Sequence, residues 1–147
     1  MKLYHTSPLE ISKIKTSGRF GEFLCFSGHE YVMTAGGHVL YKIEMDEGEI
    51  IDDGSLFYHP DAGLLDDLVS DFCARFDVDA DTAEEIISGR AELDRDVHDA
   101  DDSSDAHEFT ARAAKILGYR GVRARDEQGT LYMIDMLGRE SELVRAS

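Results

Sequence analysis

The spacing of apolar residues along this chain changes period twice, and that limits the fold it can take. Lys2 to Thr6, residues 23–26 (Phe-Leu-Cys-Phe) and residues 38–45 read as strands. In the last of these Val39, Tyr41, Ile43 and Met45 fall on one side, the mark of a half-buried strand. A turn is expected at Ser7-Pro8, and a short helix over residues 28–35 that ends at Gly36-Gly37. The period then shifts. Leu64, Leu65, Leu68, Val69, Phe72, Cys73 and Phe76 recur at helical spacing with acids between them, which predicts an amphipathic helix of about four turns. A second helix is expected over residues 82–88, then an Asp/Ser-rich loop over 90–104. A third runs from Ser104 as N-cap to Leu117, with Phe109, Ala113, Ile116 and Leu117 as its stripe and Gly118 as its stop. Strands return at 119–125 and 130–136 around the hairpin turn Asp126-Glu127-Gln128-Gly129, and at Leu143-Val144. Strands, helices, then strands in 147 residues predict one α+β domain, with a helical segment at about 58–117 inserted between two halves of a sheet.

Composition narrows the partners. The apolar share is 42%, enough to support a packed core, and no run of about 18 apolar residues suggests a membrane span. The N-terminal residues lack the apolar stretch of a signal peptide, so a cytoplasmic location is expected. Cys25 and Cys73 both sit among apolar neighbours and read as buried thiols in a reducing compartment. The net charge of -16 is uneven: residues 51–108 hold 19 acidic and 3 basic side chains. Direct binding to nucleic acid needs clustered Lys and Arg and is disfavoured. The acidic segment is either a solvated helical face or one that approaches a basic protein surface.

Three short stretches carry residue types suited to chemistry. His5, near the end of the first strand and followed by Thr6 and Ser7, can bond a sugar hydroxyl. It can equally be a structural histidine. The loop Ser-Gly-Arg-Phe-Gly at 17–21 lets backbone approach a ligand closely. Phe20, Phe23 and Phe26 offer flat faces, although core positions suit Phe23 and Phe26 as well. Asp126 and Glu127 begin a tight turn where a carboxylate can stabilise a cationic sugar, or simply meet water. No Rossmann fingerprint is present. Asp77, Asp79 and Asp81 start like a calcium loop but lack its later glycine and acid. His98, Asp99 and His107 have no zinc-ligand spacing, so no metal is expected.

Taken in order, these stretches resemble ADP-ribosyltransferases. In particular LYHTSPLEISKIKTSGRFG and LGYRGVRARDEQGTLY are similar to the opening and closing segments of the small anti-CRISPR ADP-ribosyltransferases that inhibit type I-F surveillance complexes. The resemblance covers roughly a quarter of the chain. It implies an ADP-ribosyltransferase-like split β-sheet with NAD as substrate and no metal. The acceptor it implies is a protein in a CRISPR–Cas complex within the host cytoplasm. By position it places the catalytic carboxylate on Asp126, the NAD-contacting strand on His5, Thr6 and Ser7, and the pocket loop on Gly18, Phe20 and Gly21; Phe26, for its flat face, and Tyr31 are further candidates for contact with NAD. Thr6 stands where most relatives have glycine. Asp126 is one methylene shorter than the usual glutamate, which leaves Glu127 as an alternative acid. Tyr31 and Tyr41 are both candidates for the superfamily's tyrosine. Two other functions fit the composition: a non-catalytic acidic inhibitor that blocks a basic nucleic-acid-binding site, and a toxin-type transferase acting on another host target.

Overall fold

The computed structural model describes residues 1–7, 11, 21–28, 39–94, 96–126 and 129–145, with the side chains of Ala100 and Asp126 outside that description. The turn at Ser7-Pro8 and nearly all of the expected helix at 28–35 lie outside the described residues. Among those described, seven strands form two sheets. The first takes β1 (Lys2–Ser7), β3 (Val39–Glu44) and β7 (Val144–Arg145) in the order β1-β3-β7. The second takes β2 (Phe23–Phe26), β6 (Gly129–Asp135), β5 (Gly121–Asp126) and β4 (Ile50–Asp52) in the order β2-β6-β5-β4. All pairs are antiparallel except β4 with β5. A parallel pair needs a long crossover, and the acidic segment supplies it as α1 (Asp66–Phe76), α2 (Ala80–Ile87) and α3 (Ala100–Ile116).

The two sheets meet edge to edge. Tyr4 and Ser27 exchange two backbone hydrogen bonds of 2.8 Å, outside both ladders. The four-stranded sheet is covered on one face by the helical segment and on the other only in part, by the smaller core under the three-stranded sheet, which is why Leu131 to Ile134 of β6 read as a run of apolar residues and not as a clean alternation. Phe23, Ile51, Val122 and Met133 face a large core filled by Leu65, Phe72, Phe76 and Ile87 from the helical segment. Phe26 and Ile134 face a smaller core with Leu3, Ile43, Met45 and Met136, between the two sheets.

The helices follow the expected pattern with shifts that have causes. α1 buries Leu68, Val69, Phe72 and Phe76, but its first apolar pair, Leu64-Leu65, belongs to a 3₁₀ turn over Ala62–Leu65. α2 begins at Ala80 because Asp79 accepts the Thr82 amide as N-cap at 2.8 Å. α3 begins at Ala100, four residues before the expected Ser104, because Asp99 accepts the Asp102 amide at 2.9 Å. Ser104 is a buried residue inside the helix. The stripe on α3 is small: Ala106, Ala111, Ala113, Ala114 and Leu117 are buried, Phe109 is half-buried and Ile116 is 41% exposed. Alanines let this helix lie close on the sheet, and Thr110 Oγ1 donates to the Ile87 carbonyl at 2.9 Å, tying it to α2. Asp102 also pairs with Arg75 at 2.8 Å and with His98 at 3.0 Å, so part of the acidic segment's charge serves its own packing. The cysteines are free and only partly buried. Strand β4 and the 3₁₀ turns were not expected, since three residues are too few to set a period.

One buried charge fastens the helical layer to the sheet. Glu22, 4% exposed, accepts both Arg112 guanidinium nitrogens at 3.1 Å and Lys115 Nζ at 3.4 Å, while Lys115 reaches Asp135 at 3.1 Å. Burial pushes the Glu22 carboxyl upward. A backbone hydrogen bond and the charges of Arg112 and Lys115 outweigh it and hold the carboxyl below its ordinary value. A depressed carboxyl adds stability above its unfolded pKa and loses it as pH falls through the folded one. Glu22→Gln is therefore expected to cost about 2 kcal/mol at neutral pH. In urea unfolding the gap from wild type should narrow below the ordinary carboxylate range. A gap that persists undiminished in acid would assign the loss to packing and not to charge.

Candidate functional site

The junction of the two sheets gathers the chain's scattered polar residues. On β1, His5 lies beside the Tyr4–Ser27 bridge, and its Nδ1 donates to the Cys25 carbonyl of β2 at 2.7 Å. A carbonyl only accepts, so the proton sits on Nδ1 and the neutral ring keeps Nε2 as an acceptor. Burial lowers the His5 pKa, and the Cys25 carbonyl opposes that in part. The ring tilts over Phe26 with centroids 5.5 Å apart.

From Phe26 a row of cross-strand partners runs over the sheet: Tyr132 on β6, Arg123 on β5 and Asp52 on β4. Directly paired residues share a face, so these side chains stand on the side where His5 lies. The three-stranded sheet covers only the Phe26 end. Beyond it opens a cleft of about 800 Å³, lined by Gly28, Asp52, Asp53, Gly54, Gly89, Arg123, Ala124, Arg125, Thr130 and Tyr132. A smaller hollow of about 260 Å³ lies between Met1, Glu47, Ile50 and the same Asp52, Arg123 and Tyr132.

The cleft is charged but internally balanced. Arg123 grips Asp52 through two nitrogens, its Nη2 to Oδ2 distance being 2.7 Å, and the Asp52 carboxylate holds the guanidinium pKa above its ordinary value. Burial raises the Asp53 carboxyl. The Gly54 amide lowers it, Asp52 raises it further, and Arg125 and Arg123 lower it. A Cβ on Gly89, where φ is +77°, would run into the Asp53 carboxylate, so glycine is needed there both for backbone and for space. Among the described residues no group of three or more His, Cys, Asp or Glu side chains is placed to hold a metal, and no helix is long and apolar enough to cross a membrane.

The sequence-predicted residues divide. His5 and Phe26 are brought together, with Phe26 at 2% exposure supporting the imidazole from within the core and presenting no open face. Thr6 and Ser7 continue β1 and are buried opposite Leu40 and Val39. Gly21 lies against Glu108 and Arg112 of α3, as part of the Glu22 anchorage. Tyr41 is buried across from His5, and its hydroxyl accepts the Ile11 amide at 2.8 Å. Asp126 ends β5 opposite Gly129, next in the chain to a cleft residue. Gly18, Phe20, Tyr31 and Glu127 lie outside the described residues. Sequence reasoning missed Asp52, Asp53, Gly89, Arg123 and Arg125. The only available signal was Arg-Ala-Arg, whose spacing puts two cations on one face of a strand.

No family model matches this chain, and no curated protein does. Among solved structures it is similar to one described as the crystal structure of an anti-CRISPR protein. The likeness has 23% identity and a TM-score of 0.59, and covers 91% of this chain and 88% of that one. At that identity the likeness is one of fold.

The His5 ring is expected to remain neutral to a pH below the ordinary histidine value, as the Nδ1–H tautomer. Nitrogen-detected NMR across pH 5–8 measures both, and titration at or above the ordinary value of about 6.5 would show that the ring is not held by Cys25.

Proposed function

We propose that this chain is a mono-ADP-ribosyltransferase that moves ADP-ribose from NAD to a protein acceptor in a type I-F CRISPR–Cas surveillance complex and so inhibits it. The observation that carries this reading is the hydrogen bond from His5 Nδ1 to the Cys25 carbonyl, which pins the ring across the junction of two sheets at the head of the row that leads to the cleft. Asp126 ends β5 where the chain turns toward β6, next in sequence to the cleft residue Arg125. The sequence resemblance supports the transfer chemistry, and the fold shared with an anti-CRISPR protein supports the CRISPR-inhibiting part of the reading alone.

The donor set suits NAD. Bound NAD would supply a ribosyl carbon joined to a good leaving group, nicotinamide, so no strong general acid is required. His5 Nε2 would accept a hydrogen bond from a ribose hydroxyl. Asp126 would stabilise the positive charge that grows on the ribose as the glycosidic bond breaks, the kind of electrostatic assistance that dominates many enzymes. The cleft would hold the two reactants in line. The electron pair of the broken bond leaves with nicotinamide, and the acceptor forms the new bond and gives up its proton.

The acidic segment supports the choice of a protein partner. It keeps Asp67, Asp71 and Asp101 exposed, and Tyr58 and Leu64 of the same stretch of chain are exposed apolar groups. This arrangement also favours the second reading, a non-catalytic inhibitor that covers a basic site. Incubation with labelled NAD and the surveillance complex separates the two. Label on a subunit supports transfer, whereas tight binding without label supports the inhibitor.

Asp126→Asn is expected to slow transfer by about two to three orders of magnitude at saturating NAD, with circular dichroism unchanged. Glu127→Gln should have a much smaller effect. The reverse pattern would move the catalytic acid one residue along. Full activity in both would remove the active site from this turn. His5→Ala should raise the KM for NAD more than it lowers kcat, because a ribose hydrogen bond present in ground and transition states acts as uniform binding. An unchanged KM would make His5 purely structural. Replacing Asp67, Asp71 and Asp101 by Asn should slow association with the complex and flatten its salt dependence while leaving NAD affinity intact. Lost NAD affinity would place the segment in the pocket.

A further inference from the structure

The cations of the cleft have a use that the transfer chemistry leaves unassigned. On a chain of net charge -16, a ligand bearing two phosphate charges meets long-range repulsion, so its site must provide local cations. Arg123 and Arg125 line the cleft, and their spacing of two on β5 puts both on one face. They are not equivalent. Arg123 is committed to Asp52. Arg125 is exposed and close enough to Asp53 to lower its carboxyl, yet it forms no hydrogen bond or ion pair with a described residue.

The surroundings of Arg125 suit a phosphate. Thr130 is its direct partner across the β5–β6 ladder and also lines the cleft, which brings a hydroxyl donor to the same face. Gly28, Gly54 and Gly89 line the walls, so backbone is open to an occupant there. Two acids face the space. Asp52 is neutralised by Arg123, and Asp53 is drawn toward the Gly54 amide and the Gly89 turn.

We propose that Arg125, with Thr130 beside it, holds the paired phosphates of a dinucleotide or nucleoside diphosphate, while Arg123, fixed by Asp52, forms the cationic wall behind them. A guanidinium fork matches two phosphate oxygens as a point charge does not. This assignment deepens the NAD reading and rests on it for the biological ligand. The phosphate site itself can be tested separately.

The experiment is calorimetric titration of the whole chain with NAD, ADP and adenosine at two salt concentrations, for wild type, Arg125→Ala and Arg125→Lys, with thermal melting as the folding control. Arg125→Ala should weaken NAD and ADP by about 10- to 100-fold, flatten their salt dependence and leave adenosine unchanged. Arg125→Lys should recover part of the loss. Wild-type affinity for NAD in Arg125→Ala overturns the assignment and leaves the transferase reading standing. An equal loss for adenosine also overturns it, because Arg125 would then shape the cleft without touching phosphate. Wild-type protein that takes ADP in an Arg125-dependent way but no NAD would keep the phosphate site and discard the transferase. Binding of neither ligand removes both.

Discussion

Two backbone hydrogen bonds between Tyr4 and Ser27 hold the edge of one sheet against the edge of the other, and the cleft exists because that contact is so short. A continuous ladder between β1 and β2 would close the molecule into one sheet and leave no opening. Among the described residues the two sheets are bridged at this one point, which lets them diverge beyond it. The His5–Cys25 hydrogen bond braces the same crossing from the side-chain layer. It couples the fold's narrowest contact to its candidate ligand contact, so a change at His5 touches both.

The rest of the structure braces that junction from behind. The helical segment packs on the far face of the four-stranded sheet and keeps β2, β6, β5 and β4 in one rigid surface. Glu22, one residue before β2, binds Arg112 and Lys115 of α3, so the strand that meets β1 cannot shift without moving the helix. Arg112 and Lys115 also lie over the Phe23 ring at 5.7 and 5.8 Å. Several acids and cations of a highly acidic chain thus serve internal anchorage, which leaves the exposed acids of the helical segment as the surface open to a partner.

How much of this was legible in the sequence follows from how local each signal is. Strands β1, β2, β3, β5 and β6 and the three helices were visible because each repeats its period several times. β4 was not, since Ile50-Ile51-Asp52 owes its strand conformation to β5, which lies about seventy residues further on. The start of α3 was misplaced because Asp99 and Ser104 are both good N-caps, and burial of Ser104 decides between them. In the site, His5 stood out through its neighbours in sequence. Asp52, Asp53 and Gly89 did not, because each is an ordinary loop residue until the crossover brings it against β5.

The amino-acid order by itself determined the α+β class, the insertion of an acidic helical segment between two sets of strands, and the candidacy of His5 and Asp126. Those properties rest on spacing and residue type along a few neighbouring positions. Only the tertiary structure decided that Phe26 is buried beneath the His5 ring, that Glu22 is an anchor, and that Arg125 lines the cleft close to Asp53. Burial and pairing are properties of surfaces that meet across long stretches of chain. A parallel pairing through a helical crossover and a short bridge between two sheet edges leave no period in the residues that make them.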